Sequence, residues 1–215
     1  MTSLSVLVCG WLGLPLAKRC LQEHDVVRGS TTHPGKIKDL EEAGLHAYVL
    51  RYNPFPSDDP QDFYNSHTLL LNIPFRRNMK RPQDYLDQHE AILKDIKKGQ
   101  VQQIIFTSSI SIYPQGLTLA KEDNILRPDN ERADTLYQVE QLLLKSHSNT
   151  TVLRLGGLVG GRRKIGQFLS GQTNLADPLK PVNLIHLDDC LEIILKIIQR
   201  PAPGEIFNVV CDKHP

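Results

Sequence analysis

Between residues 4 and 17 the sequence reads Leu4-Ser5-Val6-Leu7-Val8-Cys9-Gly10-Trp11-Leu12-Gly13-Leu14-Pro15-Leu16-Ala17. An apolar run breaks into two glycines three positions apart and then resumes with helical spacing. This pattern is typical of a strand, a tight turn and a helix whose N-terminal N–H groups and dipole favour a diphosphate. Gly10 would let the phosphates approach the backbone, and Gly13 would let the helix lie close to the strand. Trp11 and Leu12 would lie over the ligand with their backbone N–H groups turned toward it. A dinucleotide is therefore the first ligand to consider.

The same stretch also fits an ordinary strand–turn–helix unit that binds nothing, because short glycine motifs recur by chance. The dinucleotide pattern has a further glycine two residues before Gly10, and Val8 occupies that position. Both interpretations stay open on this stretch alone.

The composition bounds the class of protein. The 215 residues are 40% apolar with a net charge of +1, which suits one cored domain and provides no field that would recruit nucleic acid or an anionic membrane. The apolar runs are too short to span a bilayer, and no secretory leader is visible. The four cysteines and the histidines show no metal-ligand spacing, so we expect reduced thiols, no metal site and a cytoplasmic protein.

Strand-like and helix-like runs alternate along the whole sequence. This alternation predicts an α/β, Rossmann-like doubly wound parallel sheet of about seven strands, with a small incomplete substrate lobe. We expect residues 1–155 to form the dinucleotide-binding domain, residues 156–185 a substrate-side excursion, and residues 186–215 a final helix and strand that return to the sheet. The predicted strands are Leu4–Val8, Val26–Gly29, His46–Leu50, Thr68–Ile73, Val101–Ser108, Thr151–Leu155 and Glu205–Val210.

Polar residues after the second predicted strand form a candidate site for the adenosine ribose. Arg28, Ser30, Thr31 and Thr32 combine hydroxyls with a cation, and no carboxylate is present there to hold the ribose hydroxyls of NAD. This combination suits a 2′-phosphate, so it favours NADP over NAD. An ordinary Ser/Thr-rich turn explains the same residues without a ligand.

Two further clusters follow the fourth and fifth strands. Asn72, Ile73 and Pro74 would touch the nicotinamide-side ribose, and the arginines at 76–77 either meet a substrate anion or are simply solvated. After the fifth strand, residues 107–113 place several hydroxyls at a strand end, where they could polarise a carbonyl or hydroxyl group.

The sequence resembles the NAD(P)-dependent epimerases and dehydratases, the extended short-chain dehydrogenases/reductases that act mostly on nucleotide sugars. The matching segments run in the family's order over nearly the whole sequence. They are Gly10–Gly13 (the Gly-Phe-Ile-Gly turn), Ser108–Tyr113 (Ser-Ser-x-x-Val-Tyr-Gly), Leu153–Gly160 (Arg-x-x-x-x-Tyr-Gly-Pro), Val182–Asp189 (Ile-His-Val-Asp-Asp) and Ile206–Val209 (Tyr-Asn-Val).

This resemblance implies that Ser108 lies at the cofactor and that Ser109 positions a substrate. The family's Tyr-x-x-x-Lys pair, which passes the proton while nicotinamide exchanges a hydride, does not appear; its two slots fall at Arg132 and Leu136. The sequence also stops at Pro215, before the segment that completes the family's substrate lobe.

Two functions stay open. The first is a nicotinamide-dinucleotide-binding protein with absent or non-standard catalysis. The second is an active NAD(P)-dependent oxidoreductase or epimerase that acts on a nucleotide sugar or similar substrate, with Ser109 holding it and Tyr113, Tyr137 or a substrate group supplying the proton. The expected partners are therefore NADP or NAD and a small molecule, and a homodimer stays open.

Overall fold

Seven parallel strands form one sheet in the structure, a computed structural model that describes residues 2–52, 60–76, 79–124, 128–164, 166 and 182–212. The strand order β3-β2-β1-β4-β5-β6-β9 confirms the predicted doubly wound fold. The strands of this sheet are β1 (Ser3–Leu7), β2 (Val26–Thr31), β3 (His46–Val49), β4 (Thr68–Leu71), β5 (Gln103–Ser109), β6 (Thr150–Leu155) and β9 (Ile206–Val209).

Helices cover both faces of this sheet, which explains why nearly every residue of its central strands β1, β4, β5 and β6 is buried. The helices are α1 (Gly13–Cys20), α2 (Ile37–Glu42), α3 (Gln83–Ile96), α4 (Glu131–Ser146) and α5 (Leu187–Gln199). Leu69 and Leu71 of β4 pack with α3 and α4, whereas Leu70 points to the opposite face and packs with α1, α2 and α5.

The sheet reverses its strand order at β1, which pairs with β2 on one side and with β4 on the other. Connections leave the carboxyl ends of β1 and β4 toward opposite faces, and this opens a crevice between them. In open parallel sheets that crevice is the usual position for a ligand.

The secondary structure of residues 157–186 differs in part from the predicted loop excursion. Within them β7 (Gly157–Val159) and β8 (Leu184–His186) pair in parallel as a second, two-stranded sheet. Most of the predicted 156–185 excursion lies outside the described residues.

A second difference concerns β2. It continues to Thr31 rather than ending at Gly29, because the buried Ser30 and Thr31 carry the ladder with β3 two residues further.

Neither a membrane span nor a metal cluster is found in the described part of the chain. No helix there is long and apolar enough to cross a membrane. No group of three or more His, Cys, Asp or Glu side chains is placed there to hold a metal ion.

Candidate functional site

A cavity of about 400 Å³ opens at the carboxyl ends of β1, β4 and β5, at the crevice that the fold creates. Its volume lies in the range of small-molecule sites. Its lining includes two arginines and, among the described residues, no Asp or Glu. The lining residues are Val8, Gly10, Trp11, Leu12, Asn72, Ile73, Pro74, Phe75, Tyr85, Thr107, Ser108, Ser109, Ser111, Arg132, Leu136, Leu155, Gly156, Leu158 and Arg163.

The turn after β1 forms one wall of this cavity. Val8 has a φ of 77°, a left-handed conformation that a β-branched residue rarely adopts and that costs about 1–3 kcal/mol. Two hydrogen bonds hold it there: the Val8 N–H donates to Ser30 Oγ at 2.9 Å, and the Gly10 N–H donates to the Val8 oxygen at 2.9 Å. Val8 thus adopts the conformation for which the dinucleotide pattern uses glycine.

The two glycines of the turn have different roles. A Cβ at Gly13 would lie 2.5 Å from the Val8 oxygen and 2.9 Å from Val6 Cγ1, so the close contact of α1 with β1 needs glycine there. A Cβ at Gly10 would meet no atom nearer than Val8 Cγ1 at 4.0 Å. Gly10 is therefore not required by packing, and its exposed backbone faces the cavity.

Trp11 connects this turn to the chain after β7. Its Nε1–H donates to the Gly160 oxygen at 3.1 Å, and the Arg163 guanidinium lies 4.6 Å from the centroid of its ring. Gly160 and Arg163 exchange two backbone hydrogen bonds of 2.9 and 3.0 Å, closing a tight turn in which Gly160 and Gly161 have positive φ. This turn places Arg163 in the lining of the cavity, next to Trp11 of the glycine turn. Leu12, by contrast, buries its side chain in the core while its backbone borders the turn.

Hydroxyl groups at the end of β5 form the opposite wall. Thr107 Oγ1 lies 3.2 Å from the Leu71 oxygen and 3.1 Å from Asn72 Oδ1 and can donate to either. Ser108 Oγ donates to the buried carboxylate of Glu140. Ser109 Oγ accepts from the Ser111 N–H at 3.2 Å. Since that bond uses the oxygen of Ser109, its hydroxyl hydrogen can be donated to a ligand.

Tyr113 does not join this wall, in contrast to the proton-donor role that the sequence suggested for it. Its hydroxyl accepts from Arg154 Nη1 at 2.8 Å and lies 2.7 Å from Asn208 Oδ1. Arg154 in turn forms a buried ion pair with Glu140 at 2.8 Å. Tyr113 thus ties β6 and β9 together behind the site.

The predicted adenosine-side residues are only partly arranged as expected. Arg28 lies inside β2 and does not line the cavity. Ser30 is fully buried beneath Val8, and Thr31 Oγ1 accepts from the His33 N–H at 3.2 Å. The cation beside Thr32 is Arg51, whose Nε donates to the Thr32 oxygen at 2.8 Å. Arg51 could not be predicted from the residues around β2, because it follows β3.

The loop after β4 is fixed by an aromatic and cationic stack. The Phe75 ring lies 4.3 Å from the Tyr85 ring in parallel, and the Arg132 guanidinium lies 3.9 Å from the Phe75 centroid. Tyr85 donates its hydroxyl to the Ile73 oxygen at 3.0 Å, and burial raises its pKa. Arg132 and Leu136, the two positions where the sequence resemblance predicts the family's Tyr-x-x-x-Lys pair, both line the cavity. Arg77 lies outside the described residues.

The structure therefore brings eight of the predicted site residues to one cavity. They are Gly10, Trp11, Leu12, Asn72, Ile73, Pro74, Ser108 and Ser109. Gly13 supports the turn from behind, and Thr32 lies further along the same edge of the sheet. Phe75 was missed because nothing in its local sequence marks it.

The comparisons with known proteins agree with this architecture. No protein-family model matches the chain. A UDP-N-acetylglucosamine 4-epimerase from Bacillus cereus has a TM-score of 0.79 at 14% identity, over 100% of this chain and 77% of that chain. A UDP-glucuronic acid 4-epimerase from Bacillus cereus, solved with NAD, has a TM-score of 0.79 at 19% identity, over 100% of this chain and 80% of that chain. A UDP-glucose 4-epimerase from Thermotoga maritima, solved with UDP-glucose, has a TM-score of 0.74 at 16% identity, over 100% and 78%.

The sequence relationship is stronger with a bacterial protein, YeeZ of Escherichia coli (strain K12). The two are 31% identical over 219 residues, which cover 100% of this chain and 80% of YeeZ. Together with the structural neighbours, this match confirms the resemblance seen in the sequence. The chain belongs to the same family as YeeZ, and it has the fold of the solved UDP-sugar 4-epimerases.

Proposed function

We propose that this protein binds a nicotinamide dinucleotide across the carboxyl ends of its strands, with absent or non-standard catalysis. The observation that carries the proposal is Gly10, which is exposed toward the cavity and has no packing need to be glycine. A backbone without a side chain at that point allows a diphosphate to approach the N–H groups at the start of α1. Arg163, held on Trp11, would supply a cation beside the same turn.

The structural neighbours support this ligand class. The UDP-glucuronic acid 4-epimerase was solved with NAD, and another neighbour, MoeE5, was solved with UDP-glucose and NAD. Bound nicotinamide would supply the hydride chemistry. In this chain, Asn72 and Pro74 would border its ribose, and the Ser109 hydroxyl would hold a second ligand beside it.

The residues after β2, where the adenosine ribose would lie, favour NADP over NAD. No carboxylate occurs between Arg28 and Lys36 to accept hydrogen bonds from ribose hydroxyls, and Arg51 lies bonded to the Thr32 oxygen. A guanidinium suits a 2′-phosphate, so Arg51 takes the role that the sequence suggested for Arg28.

The proposed lack of standard catalysis rests on α4. Arg132 and Leu136, the two positions that the sequence resemblance assigns to the family's tyrosine and lysine, both line the cavity. An arginine side chain stays protonated at neutral pH, and a leucine side chain has no ionisable group. Neither can therefore exchange a proton with a substrate hydroxyl.

Calorimetric titration with NAD, NADP and their reduced forms tests this proposal. We expect NADPH to bind most tightly, and Arg51→Gln to weaken NADPH by about tenfold while changing NADH by less than about twofold. Arg81→Gln is the matched control, because Arg81 is exposed, pairs with Asp84 and lies outside the cavity.

Absence of binding by all four nucleotides would refute the ligand class. An epimerase assay with UDP-glucose in the presence of NAD or NADP separates the two functions. If the wild-type protein catalyses multiple turnovers and Ser109→Ala does not, the protein is an active enzyme instead.

A further inference from the structure

We infer that Arg163 pairs with the diphosphate of the bound dinucleotide and makes the affinity of the site depend on that group. This inference deepens the proposed function and rests on it, because the proposed function places the diphosphate at the glycine turn. It is carried by the fixed turn that holds Arg163, by the charge that its guanidinium keeps, and by open backbone donors in the same cavity.

The turn formed by residues 160–163 is fixed against the start of α1. Arg163 and Gly160 exchange two backbone hydrogen bonds of 2.9 and 3.0 Å. Trp11 Nε1–H donates to the Gly160 oxygen at 3.1 Å. The His186 imidazole also lies against Gly160, where a Cβ atom would stand 2.5 Å from Nε2 of that ring. Arg163 is therefore presented to the cavity from a turn with a defined position.

The guanidinium of Arg163 keeps its charge and its hydrogen-bond donors available. It lies 4.6 Å from the centroid of the Trp11 ring. An aromatic face attracts a cation but carries no formal charge, so it orients the guanidinium without neutralising it. Within the described ranges, the Arg163 side chain forms no ion pair and donates to no carbonyl or carboxylate. It can therefore bind an oxyanion through two parallel hydrogen bonds.

Open backbone donors of the glycine turn border the same cavity. The Leu14 N–H donates back to the Gly10 oxygen at 3.1 Å. The N–H groups of Trp11 and Leu12 precede this bond and have no acceptor in the part of the chain that the structure describes. Both residues line the cavity together with Arg163, and no described lining residue is a carboxylate. N–H groups at a helix start and a guanidinium both favour an anion, and a diphosphate has enough oxygens to bond to both.

The diphosphate is the group of the dinucleotide that this arrangement selects. In the proposed binding mode the 2′-phosphate lies at Arg51, and the nicotinamide-side ribose borders Asn72 and Pro74. Arg163 adjoins Trp11 at the turn between these two ends. Its contribution to affinity should therefore appear only for ligands that contain a diphosphate.

Calorimetric titration with three ligands tests this inference: NADPH, 2′-phospho-ADP-ribose, which keeps the diphosphate, and 2′-AMP, which lacks it. We expect Arg163→Gln to weaken the binding of NADPH and 2′-phospho-ADP-ribose by about fivefold or more, and to change that of 2′-AMP by less than about twofold. Arg162→Gln is the matched control, because Arg162 is the neighbouring exposed arginine of the same turn and does not line the cavity. It should change the binding of all three ligands by less than about twofold.

Two further measurements separate this role from a purely structural one. Arg163→Lys keeps the charge and should retain more affinity for NADPH than Arg163→Gln. Raising KCl from about 0.05 M to about 0.5 M should bring the dissociation constants of wild type and Arg163→Gln closer together, because salt screens an exposed charge. If Arg163 only packs on Trp11, Arg163→Gln lowers the melting temperature and changes the binding of all three ligands by the same factor, which would overturn the inference.

Failure of the proposed function would be recognised separately. If NADPH does not bind the wild-type protein at any KCl concentration, the dinucleotide proposal fails, and the role of Arg163 fails with it. If NADPH binds wild type, Arg163→Gln and Arg162→Gln with constants within about twofold of one another, the dinucleotide proposal stands and only the inference about Arg163 fails.

Discussion

The backbone oxygen of Val8 lies 2.5 Å from the point where a Cβ atom at Gly13 would stand. The same oxygen accepts a hydrogen bond from the Gly10 N–H at 2.9 Å. Val8 also has a φ of 77°, the one positive φ of a non-glycine residue in the described part of the chain. The strained valine and the glycine of α1 thus form one unit, which shapes the turn before any ligand arrives.

Substitutions at the two glycines of the turn should separate folding from binding. Gly13→Ala forces its methyl group against the Val8 oxygen, so we expect it to lower the free energy of unfolding by about 1–3 kcal/mol. Gly10→Ala places a methyl group in open space, so we expect less than about 1 kcal/mol of change but a loss of dinucleotide affinity of about tenfold or more. Urea denaturation and calorimetry measure the two quantities. A Gly10→Ala variant that binds like wild type would contradict the position of the diphosphate.

Tyr113 should matter for stability and not for binding. Tyr113→Phe removes the hydroxyl that accepts from Arg154 and lies 2.7 Å from Asn208 Oδ1, so we expect a loss of about 1–3 kcal/mol in the free energy of unfolding. Tyr137→Phe is the matched control, since Tyr137 does not line the main cavity and its ring is only partly buried. Dinucleotide affinity should be unchanged in both variants. A specific loss of affinity in Tyr113→Phe would return Tyr113 to the site.

The buried His89 should make stability depend on pH. Burial lowers its pKa from the ordinary value of 6.5 to about 4, while Nδ1 lies 2.7 Å from the Tyr85 oxygen. Between pH 6.5 and pH 4 the unfolded chain therefore binds a proton that the folded protein does not. We expect this histidine to reduce the free energy of unfolding by about 2 kcal/mol between pH 7.5 and pH 5.

His89→Asn isolates this contribution, because it keeps a donor near the Tyr85 oxygen and does not titrate. Its overall stability should be lower, but its loss between pH 7.5 and pH 5 should be smaller than that of wild type. The comparison is needed because burial also lowers the pKa of His24. Equal pH dependence in both proteins would show that His89 does not titrate as described.

The fold could be predicted from sequence because its strands are apolar on both faces and its glycine turn is local. Leu69, Leu70 and Leu71 signal a covered parallel strand whatever lies around them. The predicted end of β2 was wrong by two residues, because Ser30 and Thr31 are polar residues typical of loops but are buried in the strand. The Ser30 hydroxyl oxygen accepts from the N–H of Val8, which directly follows β1, and no local pattern reveals this contact.

The site was predicted less completely for the same reason. Residues that end a strand, such as Asn72 and Ser109, lie at the ligand edge by topology alone. Arg163 reaches that edge only because Trp11 bonds to Gly160, 149 positions away. Arg51 reaches the same edge because it follows β3, which pairs with β2. Such contacts depend on the packed structure.

One titration tests dinucleotide binding at the glycine turn most directly. Trp11 is the single tryptophan in the sequence and lines the cavity, so its emission reports on this site alone. Reduced nicotinamide absorbs light at the wavelengths where tryptophan emits. NADPH bound at this turn should therefore quench the Trp11 emission to a saturating level. The Gly10→Ala variant should need about tenfold more NADPH to reach half of that quenching. Trp11 emission that stays unchanged, or that responds equally in wild type and Gly10→Ala, would contradict a dinucleotide bound at this turn.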